Sequence, residues 1–195
     1  MSKTGWFTLL SALLIVSTSD IEAGQKKDTN KSETAQVEKP KMPSGAPEEL
    51  KALHWLDGDW DVTEKVKGKE GDAWIEQRGT VSYRIILDGA AVEESYSGSW
   101  DNKPVQAITW YTYNRMDKAF EMTTLNSYGA KVFTMGQGTL KDGVLTVYAE
   151  KKWEDKVVQL RWSLTQVDDD HFNVKMEHNK EGKWEVSGTE SYTRK

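Results

Sequence analysis

From Trp60 to the end of the chain, apolar and polar residues alternate with a period of two. That period marks strands with one face turned to a core. The alternating runs fall at about 60–66, 73–87, 90–99, 104–114, 118–126, 131–139, 143–151, 156–167, 171–179 and 183–194. Turn sequences separate them: Gly71-Asp72, Asp88-Gly89, Asp101-Asn102-Lys103-Pro104, Arg115-Met116-Asp117, Tyr128-Gly129, Asp142-Gly143, Asp168-Asp169-Asp170 and Glu181-Gly182. Asp-Gly between alternating runs signals a hairpin, because the favoured tight turn needs positive φ at both central residues. No helical period interrupts the series. The expectation is therefore all-β: about ten strands running up and down, closed into a single antiparallel barrel that leaves no edge exposed.

The chain before Trp60 follows other rules. Pro47-Glu48-Glu49, then Leu50, Leu53 and Leu56, predict a short helix. Proline suits the first helical turn, and two acids suit the positive end of the helix dipole. Asp57-Gly58 ends it. Residues 24–46 lack aromatic side chains and cannot offset their ordering entropy, so they are expected to be a disordered linker. Lys3 precedes the apolar run Trp6 to Val16. That run is too short to span a bilayer, and it leads through a weakly polar stretch to Ile21-Glu22-Ala23. The order is that of a secretory signal peptide over residues 1–23, with cleavage after Ala23 or near Ser19. The expected mature chain has no transmembrane span, its place is secreted or periplasmic, and the barrel domain occupies residues 47–195.

Parity along each strand assigns faces. Val81, Tyr83, Ile85 and Leu87 share one, as do Phe120 and Met122, Val158 to Leu164 in steps of two, and Phe172, Val174 and Met176. Trp184 and Val186 form another such pair. These faces are expected to point inward. Strand 104–114 has two aromatic faces, Trp110 with Ile108 and Tyr111 with Tyr113, which leaves its inner side open. Polar residues fall on inward parity at Glu94, His178 and Glu190. Burying a lone carboxylate is strongly unfavourable. The ordinary reading puts these groups at the mouth in water or pairs the glutamates with Arg78, Arg84 or Arg194. The functional reading makes them ligand anchors, or acids and bases with raised pKa.

Composition narrows the classes of function. The chain has 195 residues and a net charge of −5. The first 23 residues carry one Lys against two acids, and residues 24–46 carry five Lys against three acids, which leaves −6 on the rest. An acidic body argues against a nucleic-acid partner. There is no cysteine, which excludes disulfides, thiol catalysis and thiolate metal sites. The three histidines, His54, His171 and His178, have no metal-binding spacing, and no metal or cofactor is expected. Neither a nucleophile elbow nor a phosphate loop is present. Eight of the nine tryptophans lie after residue 50, enough large rings to build a core from few Leu and Ile.

Gly58-x-Trp60 at the first strand, behind a short helix, resembles the signature shared by lipocalins and fatty-acid-binding proteins, the calycins. In that signature a basic residue of the last strand lies across the Trp, and Arg194 stands in the matching place. The body from residue 50 to 195 also resembles a family of small, mostly secreted, lipocalin-like proteins of unknown function. The shared features are Arg84 to Gly89, Glu93 to Gly98, Tyr113-Asn114-x-x-x-Lys118-x-Phe120, Gly136-x-Gly138 and the Tyr192-Thr193-Arg194 ending. The family commonly has a second Gly at Asp88 and an acid at Asn114. The resemblance implies a lipocalin-like barrel and no assigned activity.

The leading expectation is a barrel that binds a small apolar or amphipathic molecule, because ten strands enclose more space than eight. The expected contacts are Tyr83, Glu94, Tyr96, Trp110, Met122, Trp162, His178, Trp184 and Glu190; Gly58, Trp60 and Arg194 are structural. An enzyme using Glu94, Glu190 or His178 as acid or base is a second reading. An interaction module presenting Tyr111, Tyr113 and Trp153 is a third.

Overall fold

A computed structural model describes residues 45–67, 73–100, 103–127, 132–153 and 156–195; the expected signal peptide and linker, and the Gly71-Asp72, Asp101-Asn102 and Tyr128-Gly129 turns, lie outside the described residues. A 3-10 helix over Glu48–Leu56 precedes ten strands. They are β1 (Gly58–Lys67), β2 (Trp74–Ile86), β3 (Ala91–Trp100), β4 (Lys103–Asn114), β5 (Ala119–Asn126), β6 (Val132–Lys141), β7 (Val144–Trp153), β8 (Lys156–Gln166), β9 (His171–Lys180) and β10 (Lys183–Arg194). Each strand pairs antiparallel with the next, and β1 pairs with β10, so the sheet is a closed up-and-down barrel. Every strand starts and stops within two residues of the expected bounds. Asp142-Gly143 and Glu181-Gly182 have positive φ at both positions, as two-residue hairpins require.

Closure depends on the first and last strands. Trp60 faces Arg194 in the β1–β10 register. Trp60 is fully buried, and its indole N–H donates to the Leu56 carbonyl at 2.8 Å. The Arg194 guanidinium lies 4.1 Å from the Trp60 ring centroid. Its nitrogens donate to the Trp55 and Asp57 carbonyls at 2.7 Å each and to the Asp169 carbonyl at 3.0 Å. One side chain thus ties the end of the helix, the first strand and the β8–β9 turn to the end of the chain. Gly58 has a φ of 139°, and a Cβ there would strike the Arg194 guanidinium, so this position needs glycine.

The helix covers one end of the barrel. Leu50, Leu53 and Leu56 are buried beneath it, and Trp55 packs edge-on against Phe172 at 5.3 Å. Phe172 also meets Trp60 edge-on and stacks on Tyr192 at 4.0 Å. This aromatic cluster forms an inner floor.

Two inward assignments change, and the open one is decided. Ile85 and Leu87 are exposed, because β2 ends at Ile86 and the chain turns with positive φ at Leu87 and Asp88. Trp110 is outside and Tyr111 inside: Tyr111 is buried, and the Trp110 N–H donates to Glu93 at 2.9 Å on the outer surface. Trp184 and Val186 are also outside, because the β9–β10 register shifts between Val186 and Gly188. A one-residue bulge exchanges the faces of everything beyond it. Trp184 therefore joins an outer cluster, 4.5 Å beneath the Arg161 guanidinium and 6.1 Å from the Tyr148 ring.

Candidate functional site

Above the aromatic floor the barrel is hollow. A lumen of about 580 Å³ runs between the strands and reaches the end opposite the helix, where Lys67, Ser99, Asn126 and Lys151 line it. Its two sides differ. Glu64 of β1, Glu94 and Tyr96 of β3, and Glu190 and Tyr192 of β10 line one side. Leu160, Trp162 and Leu164 of β8, Val174 and Met176 of β9, and Met122 of β5 supply the apolar lining, which begins at Val174 directly beside Glu190 across β9 and β10. The closed order β10–β1–β2–β3 gathers the three carboxyls on one wall.

Tyrosines organise that wall. Glu94 accepts from the Tyr83 hydroxyl at 3.1 Å and from the Tyr111 hydroxyl at 2.7 Å. Tyr83 reaches it because the two residues are direct neighbours across β2 and β3. Glu190 accepts from Tyr192 at 2.6 Å. Glu64 stands opposite Glu190 in the β1–β10 register, a like-charge pair that would be unfavourable with both ionised. The Tyr96 hydroxyl lies beside Glu64 and lowers its pKa, and the Oε1 atom of Glu64 is buried with no hydrogen-bond partner. Glycine makes room for Tyr96: a Cβ at Gly98 would strike its ring and hydroxyl.

Desolvation raises the pKa of all three acids, and the tyrosine hydrogen bonds only partly oppose it. Glu190 is pushed to about 8, with the nearby Glu64 and Glu94 charges adding to the rise. Tyr83, Tyr111 and Tyr192 are raised well above the usual phenol range, chiefly by burial. Near neutrality Glu190 is thus mostly a neutral acid, able to donate a hydrogen bond or to release its proton when a positive charge arrives.

Of the residues expected at the site, Glu94, Tyr96, Met122, Trp162 and Glu190 line the lumen together. Tyr83 stands behind Glu94, fully buried. His178 lies opposite Leu160, with Nε2 3.8 Å from Glu185, and does not line the lumen. Trp110 and Trp184 are on the outer surface. Neither Glu94 nor Glu190 pairs with the expected arginines: Arg78 meets Glu76, Arg84 meets Asp59, and Arg194 serves the Trp60 clasp. Of the three residues assigned to surface contact, Tyr111 is buried, Tyr113 is half-buried against Phe120, and the Trp153 side chain lies outside the described residues. Glu64 is not among the residues expected at the site, although Trp60, Val62, Glu64 and Val66 alternate inward and parity alone marks it. Among the described residues no group of three His, Asp or Glu side chains is placed to hold a metal ion. No helix among them is long and apolar enough to cross a membrane.

A family model described as "Protein of unknown function (DUF1579)" matches residues 46–194. The chain belongs to the DUF1579 family. Curated proteins offered no match to this DUF1579 chain. Among solved structures, the DUF1579 barrel is similar to Rv2717c from M. tuberculosis, with a TM-score of 0.52 at 12% identity over 77% of this chain and 99% of that one. It also matches the S-type phycobiliprotein lyase CPES from Guillardia theta, with a TM-score of 0.49 at 13% identity over 76% and 91% of the two chains. A de novo designed fluorescence-activating β-barrel matches with a TM-score of 0.43 at 14% identity over 74% and 97%. The likeness to Rv2717c at this identity shows a shared fold and nothing further.

Proposed function

We propose that this DUF1579 protein is a binding barrel for a small amphipathic molecule, acting outside the cytoplasm as a secreted or periplasmic protein. The observation that carries the reading is the two-sided lumen. Its volume of about 580 Å³ suits a small organic ligand, since such sites commonly span roughly 300–1,000 Å³. Apolar side chains of β8, β9 and β5 offer burial on one side, and a few carboxyls and hydroxyls on the other offer orientation. The helix and the Trp60–Arg194 clasp close one end and fix the floor, so the walls are set before a ligand enters and little ordering cost accompanies binding. The export reading rests on the apolar run Trp6 to Val16 and the polar stretch after Ala23.

Native mass spectrometry of the protein purified from its own host tests the binding reading. A non-covalent adduct of a few hundred daltons, lost on denaturation, is the expected result. Protein that carries no adduct, and whose tryptophan emission answers to no member of a lipid, isoprenoid and amine panel, counts against it. Sequencing the mature N-terminus from the same preparation tests export: a start near residue 24 supports it, and an intact Met1 in the cytoplasmic fraction refutes it.

A further inference from the structure

The proposed function leaves open the kind of molecule the lumen takes. The acidic wall narrows it. Calycin-like barrels invite the thought of fatty acids, yet a carboxylate ligand would here meet Glu64, Glu94 and Glu190 on the wall where its head group must lie. Any acid of this wall that ionises would repel such a head group strongly in a low-dielectric site, and the head group would hold all three in their neutral forms. A neutral ligand would find hydrogen bonds but would bring no charge to offset the ionisation of any of the three carboxyls.

We propose that the lumen binds an organic cation: an amphipathic amine whose ammonium group sits between Glu64 and Glu190 and whose apolar body lies against Trp162, Met122 and Val174. This inference rests on the lumen being the ligand site. Two independent observations support it. The first is the pairing of Glu64 with Glu190 across β1 and β10, which sets two carboxyls side by side on one face. The second is Glu64 itself. It is only 8% exposed, it lines the lumen, and its Oε1 lacks any hydrogen-bond partner. An unpaired buried acceptor is costly, and an N–H donor is what that atom lacks. An ammonium group supplies such donors together with the charge. A bare metal ion fits less well, because among the described residues the acids do not converge as a ligand set. The lysines that line the lumen, Lys67 and Lys151, belong to the mouth-ward ends of β1 and β7, away from the floor on which Tyr192 stacks. The apolar body has an aromatic surface ready for it in Trp162.

Three probes sharing one ring system separate the possibilities: 1-naphthylmethylamine, 1-naphthylmethanol and 1-naphthoate. Each is titrated into the full chain by isothermal calorimetry near pH 7.5, and the titrations are repeated with the double substitution Glu64→Gln and Glu190→Gln. Charge-assisted hydrogen bonds are about twice as strong as neutral ones, so the amine is expected to bind at least about tenfold more tightly than the alcohol, with naphthoate weakest. The double variant should lose that preference, with the amine binding no more tightly than the alcohol. Equal binding of amine and alcohol, or tightest binding of naphthoate, overturns the cation proposal while leaving the lumen as a binding site. Failure of all three to bind overturns both. Should the double variant fail to fold, the ranking in the unaltered chain still decides.

Discussion

Replacing Glu190 by Gln should stabilise the empty barrel, and only above mildly acidic pH. In the folded protein the Glu190 carboxyl is pushed from the ordinary 4.5 to about 8 by burial and by the neighbouring acids. Between those two values the folded state holds a proton that the unfolded chain has released. A raised carboxyl pKa therefore gives stability that is complete at low pH and is lost as pH climbs towards the folded value. Each pH unit inside the window removes about 1.4 kcal/mol, so the ceiling on the loss between pH 5 and pH 8 is about 3–4 kcal/mol from this one group. Water reaches the lumen and screens the charge, which brings the expected loss to about 2 kcal/mol. Glutamine has no such titration, and its amide oxygen still accepts the Tyr192 hydroxyl that lies 2.6 Å from Glu190. Thermal unfolding of both proteins at pH 5 and pH 8 makes the comparison. Near pH 5 they should melt within a degree or two of each other, and at pH 8 the variant should melt about 4–8 °C higher. Parallel pH profiles, or a variant that is less stable at pH 8, would refute the claim that this carboxyl is desolvated inside the barrel.

Other outcomes follow from the same contacts. Arg194→Ala removes three carbonyl hydrogen bonds and the indole contact, and should cost about 2–4 kcal/mol in urea unfolding, with Arg194→Lys recovering less than half because a lysine cannot fork; a loss under about 1 kcal/mol would show that the clasp is ornamental. Arg161→Leu leaves the buried Glu177 with Lys175 at 3.4 Å as its remaining cation, and should cost about 2–3 kcal/mol near neutrality. Glu177 has a lowered pKa, chiefly from its hydrogen bond to Arg161; this stability is present above the ordinary carboxylate range and lost below it, so the deficit should fade in acid. Ala107→Trp sets an indole into the lumen wall and should abolish binding of the naphthyl amine in calorimetry while the circular dichroism spectrum stays that of a β-barrel. Amine affinity should rise from pH 6 to pH 9, as Glu190 ionises near 8 beside Glu64, Glu94 and Tyr192; affinity that is flat across that range would contradict the assignment.

Much of this architecture can be read from the chain because its causes are local. The period of two is set by side-chain geometry, and the Asp-Gly and Glu-Gly turns are set by φ, so strand number and bounds are legible. The Trp60–Arg194 clasp is legible through the Gly58-x-Trp60 resemblance. Faces are less secure, since they depend on an unbroken count. The bulge between Val186 and Gly188 adds one residue without changing composition, and it sends Trp184 from the expected interior to the outer surface. In β4 two adjacent aromatic residues leave parity undecided, and packing chooses Tyr111 because its hydroxyl reaches Glu94. The tyrosine–glutamate pairs need the register between strands distant in sequence, such as Glu64 opposite Glu190, and alternation within one strand carries no information on that. Glu64 was readable by parity alone, and its importance appears only once its unpartnered oxygen is located.

Methionine methyl resonances give the most direct view of where a ligand goes. Met122 and Met176 line the lumen, whereas Met116 is 89% exposed in the β4–β5 turn. With ¹³C-methyl-methionine labelling, addition of 1-naphthylmethylamine should shift the Met122 and Met176 signals through the ring current of the bound naphthalene and leave Met116 in place. Binding that moves Met116 alone, or saturates with the Met122 and Met176 signals unmoved, would place the ligand outside the barrel and contradict a lumen-binding protein.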